Sequence, residues 1–105
     1  MGEFEQLVLL ALLSMEEADA YGMNVRAVLR DRANRDVSVP TVYSTLDRLR
    51  EKGYLEVALG DATRARGGRA KKLFTVTEDG VAALRDARET LDTMWAAAEV
   101  EPQTS

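Results

Sequence analysis

The chain has 105 residues, a formal net charge of −4, and neither cysteine nor histidine. That composition excludes disulfides, thiolate nucleophiles and thiolate metal sites, and it removes the side chain best suited to proton transfer near neutral pH. With 46% hydrophobic and 30% charged residues, it reads as one soluble globular domain whose modest core a partner subunit would help complete.

The charge is not evenly spread. Residues 1–20 carry −5, residues 21–77 carry +6 and residues 78–105 carry −5. A polyanion would therefore meet the middle of the chain and be repelled by both ends.

In chain order, "LVLLALLSM" (Leu7 to Met15) is an apolar run that Glu3 and Glu5 precede, where a signal peptide would be basic. It is too short to span a bilayer. It reads as part of a buried helix from Gly2 to Met15, and no membrane partner and a cytoplasmic location are expected. This helix is apolar nearly all round, so it must be covered on more than one side. That is a first indication of a dimer.

"EEADAYG" makes a loop in which Asp19 is expected to cap the next helix. There Tyr21, Val25, Val28 and Leu29 form one buried stripe, and Asn34 is the expected stop. In "DVSVPTVYSTLDRLREKGYL", Ser38 is a good N-cap and Pro40 falls in the first turn, where its missing N–H costs little. Val39, Val42, Leu46 and Leu49 form the core stripe, and Gly53 ends the helix. Pro40, Thr41, Ser44, Asp47 and Arg48 point away from that stripe, with Tyr43 on its flank. The helix thus has a small polar face near its positive, N–H-rich end.

Leu55, Val57 and Leu59 alternate with Glu56 and Ala58, the period of a half-buried strand. A second strand is expected from Leu73 to Val76, so the two make a hairpin. Its tip contains "RARGGRAKK", Arg64 to Lys72. Thr77 caps a last helix from Glu78 to Glu99, roughly 33 Å long at 1.5 Å per residue. Val81, Leu84, Leu91, Met94, Trp95 and Ala98 keep it apolar on one face, beyond what the small domain can cover. "VEPQTS" reads as a polar, disordered tail.

These elements predict a mainly α fold with a small β-hairpin: a winged helix-turn-helix over residues 1–77, a dimerisation helix over 78–99 and a tail over 100–105. In helix-turn-helix docking, the second helix of the motif presents its N-terminal residues to base edges in the major groove. Here Ser38, Pro40, Thr41, Tyr43, Ser44 and Arg48 would form that face, with bases read from Thr41, Ser44 and Arg48. Arg64, Arg66, Arg69, Lys71 and Lys72 would neutralise phosphates, or place an arginine in the minor groove, while Gly67 and Gly68 let the backbone approach closely.

"GEFEQLVLLALL", "DAYGMNVRAVL", "VSVPTVYSTLDRLREKGYL" and "RGGRAKKLFTVTEDG", in this order and spacing, resemble the short form of the PadR family of transcriptional regulators across residues 2–98. The resemblance implies a dimeric winged-helix repressor that releases DNA on binding a small hydrophobic compound. It matches the family's recognition-helix tyrosine to Tyr43 and its Gly-Arg wing to Gly67, Gly68 and Arg69. Leu73-Phe74 departs from the two aromatics the family often carries after the basic wing.

A homodimer is expected, with Phe4, Leu7, Val8 and Ala11 of the first helix and Leu84, Leu91, Met94, Trp95 and Ala98 of the last forming its interface. It would face double-stranded DNA bearing a pseudo-palindromic operator. Met94 and Trp95 are the candidate effector site, since an indole can stack on a flat ligand. The paired acids Glu16-Glu17 and Glu78-Asp79 sit at helix boundaries, where acids serve as caps and dipole partners. No nucleophile motif, phosphate loop or metal spacing accompanies them, so neither an enzyme nor a cofactor is expected. The alternative is a winged-helix protein-interaction module whose basic wing meets an acidic protein instead of DNA.

Overall fold

Helix α1 (Glu3–Leu13) lies at the centre of the packing, touching helix α2 (Gly22–Ala33), helix α3 (Val39–Glu51) and strand β2 (Lys72–Val76). The computed structural model describes residues 1–60 and 72–98. Among these, four α-helices and a two-stranded antiparallel sheet are present, with β1 (Leu55–Leu59) pairing β2 and helix α4 (Glu78–Ala98) closing the chain. The mainly helical fold with a small hairpin agrees with the sequence expectation.

The core is built where the apolar stripes converge. Val8, Leu9, Ala11 and Leu12 of α1 meet Val25 and Leu29 of α2, and Val42, Leu46 and Leu49 of α3. Leu55 and Phe74 close it from the hairpin, and Leu84 does so from α4. Burial of this set supplies the main driving force for the fold, since each fully buried aliphatic side chain contributes about 1.5–3 kcal/mol.

The link between α1 and α2 departs from expectation. Residues Glu17–Asp19 wind into a short 3-10 turn, and Tyr21, not Asp19, occupies the cap position of α2. The backbone carbonyl of Asp19 accepts from the Tyr21 N–H at 2.9 Å and from Asn24 Nδ2 at 2.8 Å, so its contribution to the helix start comes from the main chain. Helix α2 ends as expected. Asn34 adopts φ 54°, the left-handed conformation that stops the helix, and the Arg35 N–H donates to the Leu29 carbonyl at 2.9 Å. Arg35 also pairs with Glu3, tying the end of α2 to the start of α1.

Between α2 and α3, Arg26 Nε donates to the Val37 carbonyl at 2.7 Å and holds the turn of the motif. Helix α3 stops at a glycine that must turn left-handed: Gly53 has φ 81°, and the Tyr54 N–H returns to the Leu49 carbonyl at 2.9 Å.

The hairpin pairs Leu55 with Val76, Val57 with Phe74 and Leu59 with Lys72. The Phe74 N–H donates to the Ala20 carbonyl at 2.8 Å, which docks β2 on the α1–α2 link. Apolar alternation along β1 does not mean equal burial. Leu55 is buried, Val57 half-buried and Leu59 72% exposed, because the hairpin leaves the core as it approaches residue 60. Thr77 caps α4 by accepting from the Gly80 N–H at 3.0 Å. From Arg88 to Ala98 the residues of α4 are almost all exposed, so its second half stands clear of the domain. Residues 99–105, including the expected tail, lie outside the described residues.

Candidate nucleic-acid interface

The N-terminal end of α3 is organised by three short hydroxyl side chains. Ser38 Oγ caps the helix by accepting from the Thr41 N–H at 3.3 Å, and it lies 2.8 Å from Thr41 Oγ1. Ser44 Oγ donates to the Thr41 carbonyl at 3.2 Å. Pro40 sits in the first turn. Pro40, Thr41, Ser44, Asp47 and Arg48 are all exposed, and opposite them Val42, Leu46 and Leu49 are fully buried. The two faces are the direct result of 100° per residue acting on this spacing. A ridge of small hydroxyl residues on a rigid helix can enter a groove and both donate and accept hydrogen bonds.

The sequence pattern does not single out Thr45. It is fully buried, and its hydroxyl donates to the Thr41 carbonyl at 2.9 Å. Arg48 Nη2 donates to that same hydroxyl at 3.2 Å. The Arg48 guanidinium is thus drawn back along α3, although the residue remains exposed.

Tyr43 lies on the flank of the ridge and is half-buried, packed against the core. Its ring rests on the first residue of α2: a Cβ placed on Gly22 would come within 2.5 Å of Tyr43 Cζ. No local sequence signal encodes this contact, because the two residues meet only through the α2–α3 crossing. Lys72 is exposed at the start of β2. Arg64, Arg66, Gly67, Gly68, Arg69 and Lys71 lie outside the described residues.

One carboxylate in this region is electrostatically perturbed. Lys52 Nζ reaches the two carboxylate oxygens of Glu5 at 3.0 and 2.9 Å. That hydrogen-bonded cation holds the Glu5 carboxyl below its ordinary value. Partial burial opposes the shift, and the Gly2 N–H and the Arg48 charge add to it. The pair ties α1 to the C-terminal end of α3. No group of acidic side chains among the described residues is arranged to hold a metal ion.

A second face lies between α1 and α4. Leu10 and Leu13 are 50% and 49% exposed, and with Val81, Leu84, Leu91 and Trp95 they line an open apolar groove of about 590 Å³. This corrects two interface expectations. Val8 and Ala11 are buried within the protomer's own core, because the inner arc of α1 faces α2, α3 and the hairpin. The outward residues of α1 are Leu10 and Leu13. Phe4 and Leu7 pack against the core at its edge, and Leu84 forms the floor of the groove with 8% of its surface exposed. Leu91, Met94, Trp95 and Ala98 are exposed on α4.

The model of the transcriptional regulator PadR-like family matches residues 9–86. A PadR family transcription regulator from Clostridium difficile has a similar structure, with a TM-score of 0.75 at 19% identity over 91% of this chain and 94% of that one. A transcriptional regulator from Clostridium thermocellum gives 0.71 at 19% identity, over 90% and 87% of the two chains. A PadR-like transcriptional regulator from Bacillus cereus gives 0.68 at 20% identity, over 93% of each. At these identities the likeness is one of fold. No curated protein matches the chain. No helix among the described residues is long and apolar enough to cross a membrane.

Proposed function

Because the chain belongs to the PadR-like family of transcriptional regulators, which bind DNA, we propose that it acts as a homodimeric, sequence-specific repressor whose DNA affinity is set by a small hydrophobic effector. The observation that carries this reading is the exposed hydroxyl ridge of Thr41 and Ser44, seated on a helix whose opposite face is fully buried. In this role, Thr41, Ser44 and Arg48 reach base edges and Tyr43 contacts a phosphate or a base. Ser38 and Pro40 set the approach of the helix. Arg64, Arg66, Arg69, Lys71 and Lys72 supply salt-sensitive affinity around Gly67 and Gly68.

The apolar surface that one protomer leaves open supports the dimer. Leu10 and Leu13 of α1 and Leu91, Met94, Trp95 and Ala98 of α4 are exposed, and a second copy related by a two-fold axis would cover them. Two recognition helices then face half-sites about one helical turn, roughly 34 Å, apart. The effector sits beside Met94 and Trp95, where an indole and the open groove offer stacking and apolar contact.

The test is direct. Genomic fragments are selected for binding to the intact protein, and the recovered duplex is compared with a random duplex of equal length by mobility shift. Tighter binding to the selected duplex is expected. No binding to either duplex at low salt would leave the fold as a protein-interaction module.

A further inference from the structure

Gly22 opens α2, is buried, and has no backbone reason to be glycine. Among the described glycines only Gly53 takes a positive φ, so an L side chain fits the main chain at position 22 without strain. By helix propensity alone, alanine there would be neutral or favourable. What excludes a side chain is space. A Cβ on Gly22 would lie 2.5 Å from Tyr43 Cζ, 2.6 Å from its hydroxyl oxygen and 2.9 Å from Cε1. All three are inside van der Waals contact, so one partner would have to move.

The two partners differ in how easily they can give. The backbone at Tyr43 is held by its neighbours, because Val42, Thr45 and Leu46 are fully buried around it. The three overlapping atoms belong to the far end of the Tyr43 side chain, which is only half-buried. A methyl group at position 22 would therefore swing the phenol off its seat and leave the helix in place. The ring lies one residue from Ser44 and two from Thr41, on the edge of the exposed hydroxyl ridge. Its displacement changes the DNA-facing edge of α3 while the core stays packed.

We propose that Gly22 is a positioning residue for DNA binding, whose bare α-carbon seats the Tyr43 phenol at the edge of the recognition ridge. The proposal rests on the DNA-binding role given above, and it adds a residue that itself touches no DNA.

The experiment is a double-mutant cycle of Gly22→Ala and Tyr43→Ala, read as affinity for the selected genomic duplex, with thermal unfolding of each variant alongside. Tyr43→Ala should weaken binding about tenfold, the scale of one hydrogen bond to a charged group. Gly22→Ala should weaken it by a similar factor while unfolding cooperatively. In the Tyr43→Ala background, where no ring is left to displace, Gly22→Ala should change affinity by less than about twofold. An equal loss in both backgrounds would show a merely structural role and overturn the proposal, as would a Gly22→Ala protein that binds like the parent. If Gly22→Ala alone does not fold, the pair of Tyr43→Ala and the double variant decides. A double variant that folds and binds like Tyr43→Ala upholds the seat, and one that stays unfolded refutes it. An intact protein that binds no duplex would instead defeat the DNA-binding role itself, a failure visible before any variant is made.

Discussion

Lys52 grips both carboxylate oxygens of Glu5, at 3.0 and 2.9 Å, and so fastens the end of α3 to the first turn of α1. The Glu5 side chain is only 11% exposed, while that of Lys52 is 46% exposed. The pair stands between a surface ion pair and a buried one, so Glu5→Gln should cost about 1–2 kcal/mol. The pH dependence has a definite sign. The Glu5 carboxyl is held below its ordinary value of 4.5, so its stabilising contribution is full above that value. It is lost as pH falls from there through the lowered folded-state value. Urea unfolding followed against pH should show a shallower acid limb for Glu5→Gln than for the parent.

Thr77 performs two tasks at the start of α4. Its hydroxyl donates to the Gly53 carbonyl at 2.7 Å and accepts from the Gly80 N–H at 3.0 Å. Thr77→Ala should destabilise the protein by about 1–2 kcal/mol, and Thr77→Ser by much less. Gly80→Ala should be costly as well, because the new Cβ would lie 2.6 Å from the Tyr54 carbonyl oxygen, a backbone atom with no room to move. Denaturant midpoints of the three variants check the order.

Leu91 and Trp95 are 54% and 59% exposed on the part of α4 that the domain does not cover. A charge in the middle of an apolar subunit contact is desolvated without a partner. Leu91→Asp should therefore produce a monomer in sedimentation equilibrium, with its helix content retained. A Leu91→Asp protein that sediments like the parent would place the subunit contact elsewhere.

Ser44 and the wing should fail in different ways. Ser44→Ala should reduce the preference for the selected duplex over a random one, because a base contact is worth about 1–3 kcal/mol of discrimination at most. Arg69→Ala with Lys71→Ala should weaken both duplexes alike. It should also make the slope of log affinity against log salt less negative, by roughly 0.9 for each phosphate that is no longer neutralised. A mobility-shift series across salt concentrations separates the two.

Much of this architecture is legible in the sequence, for local reasons. Ser38, Pro40 and Gly53 mark the ends of α3 through their own chemistry, and Asn34 ends α2 by tolerating a left-handed backbone. The hydroxyl ridge follows from helical spacing. What the sequence does not carry is set by approach between distant residues. The α1 stripe is apolar nearly all round, so periodicity cannot tell that Val8 and Ala11 turn inward while Leu10 and Leu13 remain open. Leu59 continues an apolar alternation but is exposed, since burial depends on where the hairpin leaves the core. The Gly22–Tyr43 contact and the Glu5–Lys52 pair join residues far apart in the chain, and no short motif encodes either one. Asp19 has the residue type of a side-chain cap, but the 3-10 turn uses its carbonyl instead.

The most direct measurement is a hydroxyl-radical footprint of the intact protein on the duplex it selects from genomic DNA, with the number of protomers per duplex read by sedimentation. Two protected windows about one helical turn apart, on one face of the duplex and with two protomers bound, are expected. A single window occupied by one protomer, or no protection under conditions that retain the folded protein, would contradict a dimer reading DNA with paired α3 helices.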